Sequence, residues 1–220
     1  MRTRVGFIPV ILVILFFQVQ AWARQSAPFS IPDERGTGRK DAPIMIEVFS
    51  DFQCTGCGEL YLQTLANVIE EYCKLGKVYL LHREYPLSIH RYAREAARWA
   101  LACAGVGRYE EASAALFRDQ AIWEKSGDIE STIASTLSPT ELATVKQALK
   151  NEGDKIDAAL DRDLSIGRAF PVHGTPSFRI LLYGTEIFAD HDEPEKILPT
   201  DPKLKSYAAL KRYLDEKLSK

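Results

Sequence analysis

The sequence predicts an α/β domain in which a βαβ unit comes first, a long all-helical insertion follows, and a ββα unit closes the fold. Three observations support this prediction. Two short apolar runs rich in β-forming residues flank a helical pattern within residues 44–81. Only helical patterns occur between about residues 88 and 169, and strand patterns return after residue 177. The hydrophobic content of 46% and the charged content of 26% are those of an ordinary globular domain.

Residues 1–23 have the pattern of a signal peptide. Arg2 and Arg4 precede an apolar run over residues 5–17, and the small residues Ala21 and Ala23 form a cleavage pattern. Because a helix needs about 20 apolar residues to span a bilayer, we expect cleavage after Ala23, with retention as an uncleaved anchor as the alternative. The mature protein is therefore expected outside the cytoplasm, in the periplasm or secreted, where disulfides persist. The net charge of −2 indicates no surface for nucleic acid.

The first elements after the signal peptide follow from composition and periodicity. Residues 24–43 are polar and rich in proline, glycine and charge, which predicts an extended lead-in. The nearly continuous apolar run at residues 44–49 is typical of a central strand covered on both faces. A helical pattern follows over residues 58–76, and residues 78–81 predict a second strand. The crossover makes these two strands parallel.

The predicted helical insertion spans about residues 88–169. Small residues recur at helical spacing after Ala93, and residues 109–123 fit a second helix. Ser138 and Glu141 form a capping box with Pro139 at the first helical position, which marks the start of another helix.

Strand patterns return at residues 178–183 and 186–189, where Gly184 and Thr185 predict a hairpin turn. Leucines at helical spacing from Leu204 to Leu218 then predict a closing helix. One domain over residues 44–220, interrupted by the helical insertion, is therefore expected.

A cysteine pair lies where the first predicted strand turns into a helix. Free amides at a helix N-terminus stabilise a thiolate, so we expect Cys54 to be the nucleophile and Cys57 the resolving thiol. Two cysteines at this spacing close a small disulfide ring and exchange electrons through a mixed disulfide. The alternatives are a purely structural disulfide and half of a zinc site. The histidines are scattered and the other cysteines isolated, so we expect neither a metal nor a dissociable cofactor.

Three motifs make the chain resemble the DsbA-like branch of the thioredoxin superfamily. They are residues 41–43 (Asp-Ala-Pro), residues 49–54 (Phe-Ser-Asp-Phe-Gln-Cys) and residues 174–178 (Gly-Thr-Pro-Ser-Phe). The resemblance implies a thioredoxin-like fold with a helical insert. It also implies that Pro176 follows a cis peptide bond beside the cysteines, and that the backbone of Thr175 pairs with an extended substrate segment. The alternative is that residues 174–176 are only a turn before a strand.

The chain departs from this family in the environment of the cysteines. Many relatives carry a buried acid six residues before the first cysteine, where this chain has Val48. Glu47 lies one step earlier and should face the opposite side of its strand.

The dipeptide between the cysteines, Thr55-Gly56, replaces the proline or histidine frequent in the family. Because no cation lies between the sulfurs, we expect a less extreme thiolate than in the strongest oxidants, supported by helix amides and the Thr55 hydroxyl. His173, close to the proline motif, is a candidate positive partner, with a solvated surface histidine as the alternative.

Cys73 and Cys103 lie on apolar faces of predicted helices. Two interpretations stay open. They are buried free cysteines that behave as small hydrophobes, or they form a second disulfide in an oxidising compartment.

The sequence thus predicts a monomer that exchanges disulfides with unfolded or reduced exported proteins, with oxidation as the leading direction. The resemblance implies re-oxidation by a quinone-linked membrane partner. A reductase or isomerase is the first alternative, because threonine before the proline also occurs in isomerase relatives. A binding module that carries a soft metal such as Cu(I) on the two cysteines is the second.

Overall fold

The computed structural model describes residues 29–32, 35–170, 172–182 and 206–219. Within these ranges four strands form one sheet, in the order β1-β3-β2-β4. The strands are β1 (Arg35–Thr37), β2 (Ile44–Ser50), β3 (Val78–Glu84) and β4 (Ser177–Leu182). β2 and β3 are parallel, as predicted, whereas β1 and β4 run antiparallel to their neighbours. The signal-peptide prediction, the hairpin turn and the predicted strand at residues 186–189 lie outside the described residues.

β2 lies in the middle of the sheet, which accounts for its nearly continuous apolar sequence. It is paired with β3 on one side and with β4 on the other. Ile46 and Val48 face the main core, while Phe49 faces the other side of the sheet and stacks on Phe170 with ring centroids 6.2 Å apart. Both faces of β2 are therefore covered, as its composition predicts.

The helix that follows the cysteine turn, α1, spans residues 55–73. It is α-helical at Thr55–Glu59 and Ala66–Val68 and π-helical at Leu60–Leu65 and Ile69–Cys73. Gly76 ends this segment with a φ of 69°, a conformation that glycine adopts without steric cost.

Six helices form the insertion, and one closes the chain. They are α2 (Ala93–Ala104), α3 (Tyr109–Arg118), α4 (Gln120–Ser126), α5 (Ile129–Ala134), α6 (Pro139–Asn151), α7 (Gly153–Ala169) and α8 (Tyr207–Leu218). The capping box at Ser138 and Glu141 is present at the start of α6. Phe117 of α3 and Leu101 of α2 lie in the same core cluster as Val48 and Cys57, so the insertion and the sheet share one hydrophobic core.

The structure adds a strand within the predicted lead-in and corrects one predicted helix. The lead-in at residues 24–43 contains a strand, β1, because Arg35 pairs with the backbone of β3 and its guanidinium reaches the buried Asp163. The single helix predicted over residues 109–123 is two helices, α3 and α4, separated at Asp119. That break turns Gln120 inward, where its Nε2 donates to the Phe52 carbonyl at 2.6 Å.

A buried ionic network joins α7 to the sheet. Asp163 of α7 pairs with Arg35 and, at 3.2 Å, with Arg83, and it accepts a hydrogen bond from the Glu84 backbone amide at 3.0 Å. Arg83 also pairs with Glu47 at 2.7 Å. Glu47 thus points to the side of the sheet opposite Val48, as strand alternation predicts.

The network predicts that Asp163→Ala destabilises the protein strongly. The substitution leaves two buried guanidinium groups with less compensation, and breaking a buried pair costs about 3–5 kcal/mol in the free energy of unfolding. Asp157→Ala, on the exposed part of the same helix, removes a surface pair with Arg94 and should cost less than about 1 kcal/mol. Urea unfolding of both variants measures the difference. Equal losses would contradict the role given to Asp163.

Candidate active site

Cys54 occupies the N-cap position of α1, directly after the turn that leaves β2. Its backbone is extended, with φ −81° and ψ 116°, and its carbonyl accepts hydrogen bonds from the amides of Cys57 at 3.0 Å and Gly58 at 3.2 Å. Cys54 is partly exposed, whereas Cys57, inside the first turn, is only 1% exposed. The two thiols therefore have different access to solvent.

The two thiols also differ in acidity. A hydrogen bond from the Cys57 thiol lowers the pKa of Cys54 to about 5, with further help from the Thr175 side chain and the amides of Cys57 and Gly56, against the opposing effect of burial. Burial raises the pKa of Cys57 far above its usual value. At neutral pH the pair consists of a thiolate at Cys54 and a thiol at Cys57.

The pKa of Cys54 is intermediate among those of redox-active cysteines, as expected for a pair whose intervening dipeptide carries no cation. Thiolates at redox sites range from a pKa of about 3.5 in the strongest oxidants to about 7 in thioredoxin. A value of about 5 lies between these limits. The donors that act directly on the Cys54 sulfur are neutral, and Thr55-Gly56 contributes no cation, which fits an intermediate acidity.

The loop before β4 packs against the cysteines. The Thr175–Pro176 peptide bond is cis, as the resemblance implies. Protonated Cys54 donates from its Sγ to the Thr175 carbonyl at 3.2 Å. A Cβ placed on Gly56 would lie 3.4 Å from Pro176 Cδ, so the loop touches the turn between the two cysteines. The structure thus brings together the four residues that the sequence picks out as catalytic or substrate-binding.

Thr175 contributes a second polar group to the site. Its hydroxyl is buried and has no hydrogen-bond partner among the described residues, yet it lies near enough to lower the pKa of Cys54. A hydroxyl in this position is free to donate to the Cys54 thiolate. Thr55 and Gly56 add backbone to the turn, and Gly56 also contributes one of the amides that lower the pKa of Cys54.

A cavity of about 190 Å³ opens beside the cysteine turn. Gly56 and Leu60 of α1 line one side, and Pro176 and Phe178 line the other. The cavity lies next to the Thr175 backbone, where an extended peptide would pair with main chain.

A pair of residues that sequence reasoning missed, Asp51 and His90, lies below the cysteine loop. Asp51 is fully buried, and its carboxylate accepts from the amides of Gln53 and Leu87 and contacts His90 Nδ1, each at 2.7 Å. His173, the histidine that the sequence suggests, is exposed and makes no polar contact within the described part of the chain. Asp51 belongs to the motif before Cys54, but nothing in the sequence links it to a histidine 39 positions away.

Cys73 and Cys103 are buried in the core as free thiols. Burial raises the pKa of each to about 12, which keeps both protonated at neutral pH. They behave as small hydrophobes rather than as nucleophiles. In the described ranges, no group of three or more histidines, cysteines and acids is placed to hold a metal ion.

Comparisons with known proteins agree with this geometry. The model of a family described as thioredoxin matches residues 30–198 of the chain. A relative named probable disulfide bond formation protein D, from Bacillus cereus, is 24% identical over 184 residues, which cover 80% of this chain and 82% of that protein. A relative with the same name from Bacillus anthracis is 24% identical over 185 residues, or 80% of this chain and 81% of that protein.

Solved structures extend the comparison to the fold. Wolbachia pipientis alpha-DsbA1 superposes with a TM-score of 0.68 at 18% identity, covering 87% of this chain and 94% of that one. Oxidised BdbD from Bacillus subtilis superposes with a TM-score of 0.65 at 18% identity, covering 87% and 96%. These matches confirm the predicted fold class, a thioredoxin-like fold with a mixed sheet and many helices.

The acidity of Cys54 predicts a pH-dependent stability of the reduced protein. The pKa of Cys54 is lowered from 9.0 to about 5 on folding. A lowered pKa contributes stability in full above the unfolded value, and that stability is lost as pH falls through the folded value. Reduced protein should therefore gain stability over reduced Cys54→Ala as pH rises from about 5 to about 8.

Urea unfolding midpoints at several pH values measure this gain. Cys103→Ala is the matched control, because a thiol whose pKa is raised to about 12 stays protonated in both states across that window. Its difference from the unmodified protein should stay constant. A constant difference for Cys54→Ala as well would show that Cys54 is not a thiolate.

Proposed function

This chain belongs to the thioredoxin family, and we propose that it acts as an exported DsbA-like oxidase that introduces disulfides into reduced proteins through Cys54 and Cys57. The chain is a thiol-disulfide oxidoreductase. The proposal concerns the direction of electron transfer and the location of the protein outside the cytoplasm. One observation carries it: a partly exposed Cys54 with a pKa of about 5 lies beside a buried Cys57 with a raised pKa and against the Thr175 carbonyl.

The reaction follows from the acidity of the two sulfurs. In the oxidised protein, a substrate thiolate attacks Cys54 Sγ, which breaks the Cys54–Cys57 bond, and Cys57 leaves as a thiolate that takes up a proton. A second substrate thiolate then attacks the substrate sulfur of the mixed disulfide, forms the substrate disulfide and expels Cys54. A thiolate of low pKa leaves readily, so the second step favours oxidation of the substrate. In total, two electrons pass from the two substrate thiols to the Cys54–Cys57 pair.

The site also supports a preference for unfolded substrates. The Thr175 backbone and the adjoining cavity suit an extended segment that pairs through main chain, and folded proteins expose few such segments. A quinone-linked membrane protein that re-oxidises the pair is the partner that the family resemblance implies. The Bacillus cereus relative, named as a disulfide bond formation protein, supports the same assignment.

An extracytoplasmic location is proposed from the signal-peptide pattern of residues 1–23. The described helices include none with the length and apolar character needed to cross a bilayer. An oxidase of exported proteins has its substrates in that compartment, where disulfides persist.

The mechanism predicts different trapping by the two single-cysteine variants. With Cys54 loaded as a mixed disulfide with glutathione, Cys57→Ala should accept the thiol of a substrate that has a single cysteine and accumulate a covalent complex, because neither Cys57 nor a second substrate thiol is present to resolve it. Cys54→Ala should trap none, because Cys57 is buried and protonated. Non-reducing electrophoresis measures the complexes.

Both variants are made also in a Cys73→Ala/Cys103→Ala background. Trapping should be unchanged there, since both thiols are buried with raised pKa values. Equal trapping by the two variants, or trapping lost with Cys103, would contradict the assignment of Cys54.

The redox potential of the cysteine pair distinguishes an oxidase from a reductase. A reductase or isomerase is the alternative because threonine before the proline also occurs in isomerase relatives. An intermediate Cys54 pKa predicts a potential between about −270 mV, as in thioredoxin, and about −120 mV, as in the strongest oxidants. Equilibration of the pair with glutathione buffers measures it. A value at or below that of thioredoxin would favour the reductase.

A further inference from the structure

Asp51 connects the two cysteines to a second loop. Its amide lies 3.5 Å from Cys57 Sγ, and its carbonyl accepts from the Cys54 amide at 3.0 Å. Its carboxylate accepts from the amides of Gln53 and Leu87, so it ties the cysteine loop to the loop at residues 85–92. A negative charge on the Asp51 carboxylate therefore lies inside the cysteine loop and affects the other charges there.

A charge on Asp51 has two costs. Burial of an uncompensated carboxylate is unfavourable, and the Asp51 side chain is 0% exposed. A carboxylate held against the amide of Gln53, next to Cys54, also disfavours a second negative charge on the Cys54 sulfur. A positive group near Asp51 would lower both costs and so favour a thiolate at Cys54.

His90 is placed to supply that charge. Within the described ranges it is the one basic side chain within ion-pair distance of Asp51, with Nδ1 at 2.7 Å from the carboxylate. Its side chain is 24% exposed, so it exchanges protons with solvent. A histidine is the side chain whose charge ordinarily changes between about pH 5 and 8.

The other groups that face this pair carry little charge at neutral pH or point elsewhere. Burial raises the pKa of Glu84, at the end of β3, to about 8, and the Cys57 thiol stays protonated. Arg91 lies over the ring of Tyr92, 5.0 Å from its centroid. Gln120, at the start of α4, is neutral. Among the described groups that face Asp51, His90 is therefore the one placed to compensate its charge.

We propose that His90 is a positioning residue that acts on Cys54 through Asp51. As an imidazolium it cancels the charge of the buried carboxylate, and in this way it supports the Cys54 thiolate and sets the redox potential of the pair. It supplies the cation that the Thr55-Gly56 dipeptide lacks. The inference rests on the proposed role of Cys54 and Cys57 as the redox pair.

Three variants test the proposal. His90→Asn keeps a side-chain N–H donor but removes the positive charge. Asp51→Asn/His90→Asn also removes the negative charge that His90 compensates. Arg91→Gln is the matched control, because it removes an exposed cation from the next position on the same loop without touching Asp51.

The thiolate absorbance of reduced protein, followed against pH, gives the pKa of Cys54 in each variant. His90→Asn should raise it by about one pKa unit, which is a tenfold decrease in the acid dissociation constant of the Cys54 thiol, because the negative charge of Asp51 is then uncompensated. The equilibrium constant with glutathione should shift about tenfold toward the disulfide, or about 30 mV. The double variant should return both values close to those of the unmodified protein, and Arg91→Gln should leave both unchanged.

A measurement on the unmodified protein covers the case in which a variant does not fold. Because coupling between two protonation sites is reciprocal, a thiolate at Cys54 must raise the affinity of His90 for its proton. The NMR titration of the His90 ring should therefore have its midpoint at lower pH in the oxidised than in the reduced protein.

Several outcomes would overturn the proposal. They are an unchanged Cys54 pKa in folded His90→Asn, an equal shift in Arg91→Gln, a double variant that fails to restore the pKa, and a His90 midpoint that does not depend on oxidation state. A loss of stability with no change of pKa would assign His90 a structural role only. None of these titrations uses a protein substrate, so a failure to oxidise substrates would count against the proposed function and leave this test intact.

Discussion

The pairing of β2 on both of its edges is the constraint on which the site depends. Its last residues are held by β3 on one side, where Ser50 lies opposite Glu84, and by β4 on the other, where Phe49 lies opposite Ser177. Because β4 is antiparallel to β2, the loop that enters β4 lies at the edge of the sheet where β2 ends. Thr175 and Cys54 are 121 positions apart in the chain and still meet there at 3.2 Å.

The two cysteines differ in reactivity because they occupy different positions on the helix that begins at this edge. Two cysteines of the same chemistry, three residues apart, differ because one lies at the N-cap with amides around its sulfur and the other lies inside the first turn, among apolar side chains. The amides favour a negative charge at Cys54, and burial disfavours one at Cys57. The hydrogen bond between the thiols increases both effects, since the proton held on Cys57 stabilises the thiolate on Cys54.

Sequence reasoning succeeds where the signal is local. The apolar run of β2, the capping box of α6 and the cysteine spacing are each contained within a few residues, and the structure has all three. It fails where one segment takes its conformation from a distant partner. β1 has three residues without an apolar pattern and exists because β3 offers an unpaired edge. The break between α3 and α4 likewise depends on a distant partner, the Phe52 carbonyl, which accepts a hydrogen bond from Gln120.

The same distinction applies to the acids near the sheet, whose burial no local pattern reveals. Each meets the cost of burial differently. Glu47 pairs with two arginines on the far face, and Glu84 has a raised pKa and accepts a hydrogen bond from Tyr109 at 2.5 Å. Asp51 is joined to the cysteine loop, and its ion-pair partner among the described residues is a histidine. A permanent cation in that place would hold the charge of the loop constant, whereas an imidazole makes it depend on pH.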